Sequence, residues 1–189
     1  MSDDAPSSRP WVISGPTPSR TLSTGIRRLQ DEWFEILIAD SVYTREQIDA
    51  QKSTMVEREC SWAPPPEQLS WPHEFLAKVG DQVVGGLALY KNTRDGYWFV
   101  ENVIRDQRDT YRGVGRDLVR AALNFLWSSG VRHVRVHSLV AEPISGRYWR
   151  RLLGREPDFD DAYLRAGDFE FKAVGWIIEP GWLPDPSTA

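Results

Sequence analysis

The chain is poor in several things, and each shortage excludes something. Cys60 is the only cysteine in 189 residues, so no internal disulfide can form and a reducing compartment is expected. Nothing around that thiol has the context of a catalytic nucleophile. Lysine stands only at positions 52, 78, 91 and 172, which leaves arginine as the main cation. No apolar run approaches the roughly 18 to 20 residues of a membrane span, and the opening "MSDDAPSSRP" is acidic and polar rather than signal-like. A cytoplasmic protein with no membrane partner is the expectation. The histidines His73, His133 and His137 have no metal-ligand spacing, so no metal is expected.

What remains suits one well-buried domain over residues 11–184, between polar, Pro- and Ser-containing tails at 1–10 and 185–189 that should be loosely held. Nine tryptophans are more than a core of this size requires, so some should line a site or an interface. The net charge of −4 argues against a general nucleic-acid binder. Arginine nevertheless crowds the stretch from Arg105 to Arg165, which suits a phosphorylated small molecule.

The periodicity predicts a mixed sheet with helices, an α/β (α+β) domain without repeats. "WVIS" (11–14) reads as a short strand, and "GIRRLQDEWFEILIAD" as either a strand leading to a helix or one helix throughout. Thr44 and Gln47 form a capping-box pattern that opens a helix across "REQIDAQKSTMVEREC". "EFLAKVGDQVVGGLALYKN" gives two strands about a turn at Gly80-Asp81, and "GYWFVENVI" a third, in an antiparallel meander. Leu118, Ala122, Phe125 and Leu126 recur at helical spacing up to Ser128-Ser129-Gly130. "VRHVRVHSLV" is a strand with Val134, Val136 and Val140 on one face. Pro143 opens a helix that buries Trp149, Leu152 and Leu153 and stops at Gly154. "DFEFKAVGWIIE" reads as one or two strands interrupted at Gly175 by a bulge or bend.

The informative stretch is "YRGVGRDLVRAAL", Tyr111 to Leu123, lying between a strand and a helix. Glycines at 113 and 115 let backbone N–H groups approach a ligand closely, and Arg112 and Arg116 add positive charge, so the turn suits an anion. A dinucleotide fold would need a third glycine where Leu118 stands and an acidic residue where Arg135 stands. A P-loop would need G-K-[ST], which is missing.

The segment "ENVIRDQRDTYRGVGRDLVRAAL", from Glu101 to Leu123, resembles without a gap the central motif of the GNAT superfamily of N-acyltransferases, [Q/R]-x-x-G-x-[G/A] between a strand and a long helix. The likeness extends from about His73 to Trp176. It implies a mixed, mostly antiparallel twisted sheet flanked by helices, and acetyl-CoA as acyl donor. By this resemblance Tyr111, Arg112, Gly113, Val114, Gly115 and Arg116 would hold the pyrophosphate, while Val103, Ile104 and Arg105 would run beside the pantetheine. Thr110 departs from the pattern, standing where Gln or Arg is common.

Acyl transfer from a thioester to an amine needs a base, an oxyanion donor and a proton for the thiolate. Glu101 is the candidate base: it lies on the strand that should carry the acyl group, and Trp98, Phe99 and Val103 form an apolar neighbourhood that would raise its pKa. The structural alternative is a carboxylate paired with an arginine. The resemblance implies an oxyanion donor in the backbone near Val103 or Ile104, and a tyrosine acid in a pattern like "F-Y-x-x-L-G". Here "RYWRRLLG" puts Tyr148 two residues early, and core packing is its alternative role. The family's frequent Asn before this helix is replaced by "VAEPIS".

The acceptor would be a small-molecule or peptide amine. An acidic loop "REPDFDDAYLRAGD", with Glu156, Asp158, Asp160, Asp161 and Asp168, would attract a cation or serve only solubility. Two alternatives stay open: a CoA-binding regulatory module without turnover, and a nucleic-acid-modifying acyltransferase of the same fold. A homodimer also stays open.

Overall fold

The computed structural model describes residues 9–52, 58–61, 63 and 68–185. Its strands are β1 (Val12–Pro18), β2 (Arg58–Cys60), β3 (His73–Val79), β4 (Gln82–Lys91), β5 (Trp98–Arg105), β6 (Val134–Leu139), β7 (Phe159–Ala166) and β8 (Phe169–Ile178). The helices are α1 (Thr24–Ala39), α2 (Arg45–Gln51), α3 (Val114–Ser128) and α4 (Pro143–Leu153). The eight strands form one sheet in the order β1-β3-β4-β5-β6-β8-β7-β2, antiparallel at every pairing except β5 with β6.

Alternation along β4 divides the core. Leu87 and Leu89 pack with α3 and Trp149 on one face, whereas Ala88 and Tyr90 pack with Leu37, Tyr43 and Ile48 of the α1–α2 side on the other. Between them, Gly85 and Gly86 let both layers close on the sheet. A Cβ on Gly86 would collide with Ile26 of α1, and one on Gly85 with Val114 at the start of α3. Gly85 thereby sets the depth at which the glycine turn before α3 sits, and Gly86 the depth of α1 on the other face. The start of α1 is fixed too, since the Ser23 amide donates to the buried Glu74 of β3 at 2.6 Å.

The predicted meander of β3, β4 and β5 is present. So are the capping box at Thr44 and Gln47, the end of α3 at Ser128 and the stop at Gly154, whose φ is 68°. "GIRRLQDEWFEILIAD" is one helix rather than strand and helix. Four expectations change. The helix after Thr44 ends at Gln51, and Arg58–Cys60 instead pairs with β7 as an edge strand; residues 53–57 lie outside the described residues. Val140 falls beyond β6 and is exposed, because its chain is already turning into α4. Gly175 neither bulges nor bends β8: it lies beneath the Phe159 ring, and the register shift is in β7 between Phe159 and Ala162. Most of the predicted acidic loop is β7 itself. Of its acids, Glu156 pairs with Arg150 at 2.7 Å, and Asp158 pairs with Arg155.

Candidate active site

The site begins with a failure of pairing in the middle of the sheet. β5 and β6 are in parallel register only over Trp98–Val100 and Val134–Val136. Beyond that point β5 continues against β4 as far as Arg105, and β6 continues against β8 as far as Leu139. A bulge accompanies the separation. Ala88 faces Asn102 and Leu89 faces Val100, so Glu101 is the extra residue. Such a bulge bends its strand and re-aims side chains. It leaves Val100 and Val103 on the α3 face, and brings Asn102 to α1, where its Oδ1 accepts from Gln30 Nε2 at 2.6 Å.

The wedge between the strands is a cavity of about 930 Å³. Glu101, Val103, Ile104 and Arg105 of β5 line it, as do Arg112, Gly113, Gly115 and Arg116 of the glycine turn. Tyr148 of α4 lines it from across the wedge. On the β6-facing side, Asn102 to Arg105 have no strand partner among the described residues, so the backbone there is an open edge to which an extended ligand can add.

The turn is built as an anion cradle. Gly113, with φ of 95°, caps α3 in the left-handed region that favours glycine, and no side chain caps the helix in its place. The first helical bond runs from the Asp117 amide to the Gly113 carbonyl. The amides of Val114, Gly115 and Arg116 therefore precede the hydrogen-bonded ladder and point out of the positive end of a 15-residue helix. Arg112 is exposed at the mouth, and Arg116 is 7% exposed.

Two of the nine sequence-predicted cofactor residues stand back from the cavity. Val114 is fully buried in the core beneath α3. Tyr111 is 8% exposed, with Arg108 lying 4.9 Å over its ring and its amide already donating to the Arg108 carbonyl. The turn ahead of α3 is braced further by Arg108, which grips Asp106 at 2.7 and 2.9 Å and holds that carboxyl below the usual range. Arg105 donates to the Asp106 carbonyl at 2.7 Å.

Tyr148 packs over the first turn of α3. Its hydroxyl is buried, accepts and donates no hydrogen bond among the described residues, and burial pushes its pKa up. His137, on the β6 wall, packs against Phe159 with the rings tilted and their centroids 5.3 Å apart. Burial first, then the charge of Arg135, pulls it down to about 3, so its ring is neutral at physiological pH.

The far wall contains groups that sequence reasoning missed. Trp33 and Phe34 of α1, Tyr90 of β4 and Glu142 at the start of α4 line the same cavity. The Trp33 indole and the Tyr43 hydroxyl approach the Glu142 carboxylate, yet burial outweighs both and pushes it up to about 7. Trp33 and Trp149 are tryptophans that line the site. The surplus of tryptophan was a signal, but nothing in the sequence says which of nine faces a cavity. Among the described residues no group of three or more His, Cys, Asp or Glu could hold a metal ion, and no helix is long and apolar enough to cross a membrane.

Comparisons with known proteins bear on the fold and the family. A search among curated proteins finds no significant match by sequence. Among solved structures, a candidate GNAT-family acetyltransferase from Desulfovibrio desulfuricans superposes with a TM-score of 0.55 at 13% identity, over 90% of this chain and 100% of its own. A candidate acetyltransferase from Staphylococcus epidermidis gives a TM-score of 0.55 at 13% identity, over 89% of this chain and 98% of its own. At such identities the likeness is one of fold. The family model of the acetyltransferase (GNAT) family matches residues 31–154, a span that holds the bulged strand, the glycine turn and all of α4. The chain thus belongs to the GNAT family of acyl-CoA-dependent N-acyltransferases.

Proposed function

We propose that the protein transfers an acetyl group from acetyl-CoA to the amine of an acceptor, by direct attack within a ternary complex. The observation that carries this reading is the single cavity in which the anion cradle, an open strand edge and the carboxylate of Glu101 meet.

The amides of Val114, Gly115 and Arg116, with the guanidinium groups of Arg112 and Arg116, hold the pyrophosphate. Tyr111 and Asp106 stiffen the turn from behind. The backbone of Val103, Ile104 and Arg105 pairs with the pantetheine amides as a neighbouring strand would. A backbone N–H near Val103 or Ile104 stabilises the oxyanion that develops as nitrogen attacks the thioester carbonyl. Glu101 takes the proton of the acceptor ammonium, directly or through water, and Gln30 fixes Asn102 beside it. Tyr148 supplies the proton to the departing thiolate. A buried hydroxyl with no partner costs about 1–3 kcal/mol, and a hydrogen bond to a ligand would remove that cost.

Calorimetry with acetyl-CoA, together with a thiol-release assay across a panel of amines, tests the reading. Micromolar binding and amine-dependent thiol release are expected. Absence of binding at millimolar concentration overturns it. Binding without turnover on any amine identifies a CoA-binding module instead.

A further inference from the structure

We propose that Glu142 is the docking point for the acceptor's ammonium group, and that the acceptor is a monoamine with an apolar, aromatic-sized body seated against Trp33, Phe34 and Tyr90. This inference rests on the acetyl-transfer reading and adds the chemical class of the acceptor.

The argument starts from what Glu142 does not do. It occupies the N-cap position of α4, where a carboxylate ordinarily accepts from the first-turn amides, yet its side chain makes no capping bond. It lines the cavity instead. Arginine neutralises many of the chain's other carboxylates: Arg28 pairs with Glu32, Arg45 with Glu35, Arg108 with Asp106 and Arg165 with Glu170. Among the described residues no arginine or lysine pairs with Glu142.

The groups that approach Glu142 are Trp33 from α1 and Tyr43 from the turn before α2. Both are neutral; burial and the nearby Glu142 push the Tyr43 hydroxyl above its ordinary value. Lys52, a cation of the cavity wall, is committed to Asp31 at 2.8 Å and lies over the Phe34 ring at 5.4 Å. Arg27, Arg105, Arg112, Arg116, Arg147 and Arg151 also line the cavity, but none of them is among the groups that approach the Glu142 carboxylate. A half-buried acid with no cation beside it is complementary to a cation that arrives from outside.

The remaining surface says what that cation is attached to. Trp33 and Phe34 are half-buried and packed on the α1–α2 core, and Tyr90 is stacked on Phe99 with centroids 5.6 Å apart. Such faces favour an apolar body, and they also favour a neighbouring ammonium through the ring quadrupole. The acidic β7 segment, by contrast, contributes no carboxylate to this cavity. The other two acids that line it are Asp31, which Lys52 already neutralises, and Glu101, which the acetyl-transfer reading uses as the base, so no further carboxylate is left for a second ammonium of a polyamine.

The test titrates 2-phenylethylamine, 2-phenylethanol and spermidine into CoA-saturated protein by calorimetry between pH 6 and pH 8. The amine is expected to bind, the alcohol to bind at least about tenfold more weakly, and spermidine to show no comparable binding. Amine affinity should rise about tenfold across that range, following ionisation of a carboxyl near 7. Glu142→Gln should lose both the affinity and its pH dependence while binding CoA as wild type does. Glu142→Asp should bind more weakly but keep the pH dependence, and it serves in place of the Gln variant if that variant does not fold. Equal amine binding by Glu142→Gln, an alcohol as tight as the amine, spermidine in place of the amine, or no amine binding at about 10 mM would each overturn the proposal. Failure of wild type to bind CoA counts against the acetyl-transfer reading instead.

Discussion

The hydroxyl of Tyr148 lies so close over Gly115 that a methyl group on that glycine would sit 3.3 Å from the oxygen and 3.5 Å from Val103 Cγ1. A methyl group there would be tight against the hydroxyl, which must give by a few tenths of an ångström, and in ordinary contact with Val103, so larger side chains reach into the cavity or press on α4. The same glycine presents its amide to the space in which the pyrophosphate is proposed to sit.

Gly115→Val should therefore lower CoA affinity by a factor of ten or more while changing the melting temperature by only a few degrees. The backbone of Gly115 is helical rather than left-handed, so the substitution carries no backbone strain. Adding Tyr148→Phe removes the atom nearest the new side chain. If obstruction of the phosphate is the cause, the double variant stays weak; recovery of affinity would mean that displacement of α4 was responsible.

Tyr148→Phe alone separates catalysis from packing. Its hydroxyl is buried without a protein partner, so removing it should leave stability unchanged or raise it by about 1 kcal/mol. If the hydroxyl protonates the thiolate, kcat should fall about 10²-fold with CoA affinity intact. Because burial raises its pKa, the group stays protonated from pH 6 to 9.5 and should impose no limb on the wild-type pH profile. An unchanged kcat would leave Tyr148 as a packing residue.

Glu101→Gln should preserve CoA binding and lower kcat/KM by about 10²- to 10⁴-fold. The deficit should shrink as pH rises toward the amine's own pKa, where neutral acceptor is supplied by solvent. Profiles of kcat/KM from pH 6 to 9.5 check this. Parallel profiles, or undiminished activity, would place the base elsewhere.

Two buried groups give opposite pH dependences of stability. His137 falls from 6.5 in the unfolded chain to about 3 in the fold, so between those values the unfolded state binds more protons and stability is lost as pH drops. Glu142 rises from 4.5 to about 7, so between those values the folded state binds more protons and stability is lost as pH rises. The effects partly cancel between about pH 4.5 and 6.5. Urea unfolding of single variants should expose them. Glu142→Gln should stabilise the protein at pH 8 relative to pH 4.5, and His137→Phe should flatten the acid side. A Gln variant with the same deficit at both pH values would contradict the buried-carboxyl account.

Much of this protein was readable along the chain because the relevant physics is local. Alternation in "VVGGLALY" and "WFVENVI", helical spacing after Gly115, the Thr44–Gln47 cap and the stop at Gly154 depend on neighbours a few residues away. The glycine turn is local as well: which backbone can adopt φ near 95° and leave three amides open is decided by residues 113 to 116. Those signals were enough to indicate the family, and they name the residues proposed to hold the cofactor. What the tertiary structure alone decided is everything that depends on distant segments meeting. The wedge arises where β5 and β6 stop pairing, and register between strands about 35 residues apart is not written in either one. The edge pairing of Arg58–Cys60 with β7, the bond from Gln30 to Asn102 and the enclosure of Glu142 by Trp33 and Tyr43 have the same origin. Burial and charge neutralisation are properties of assembled surfaces. A glutamate before a proline reads as an ordinary helix start until the fold places it at the cavity wall without a capping bond.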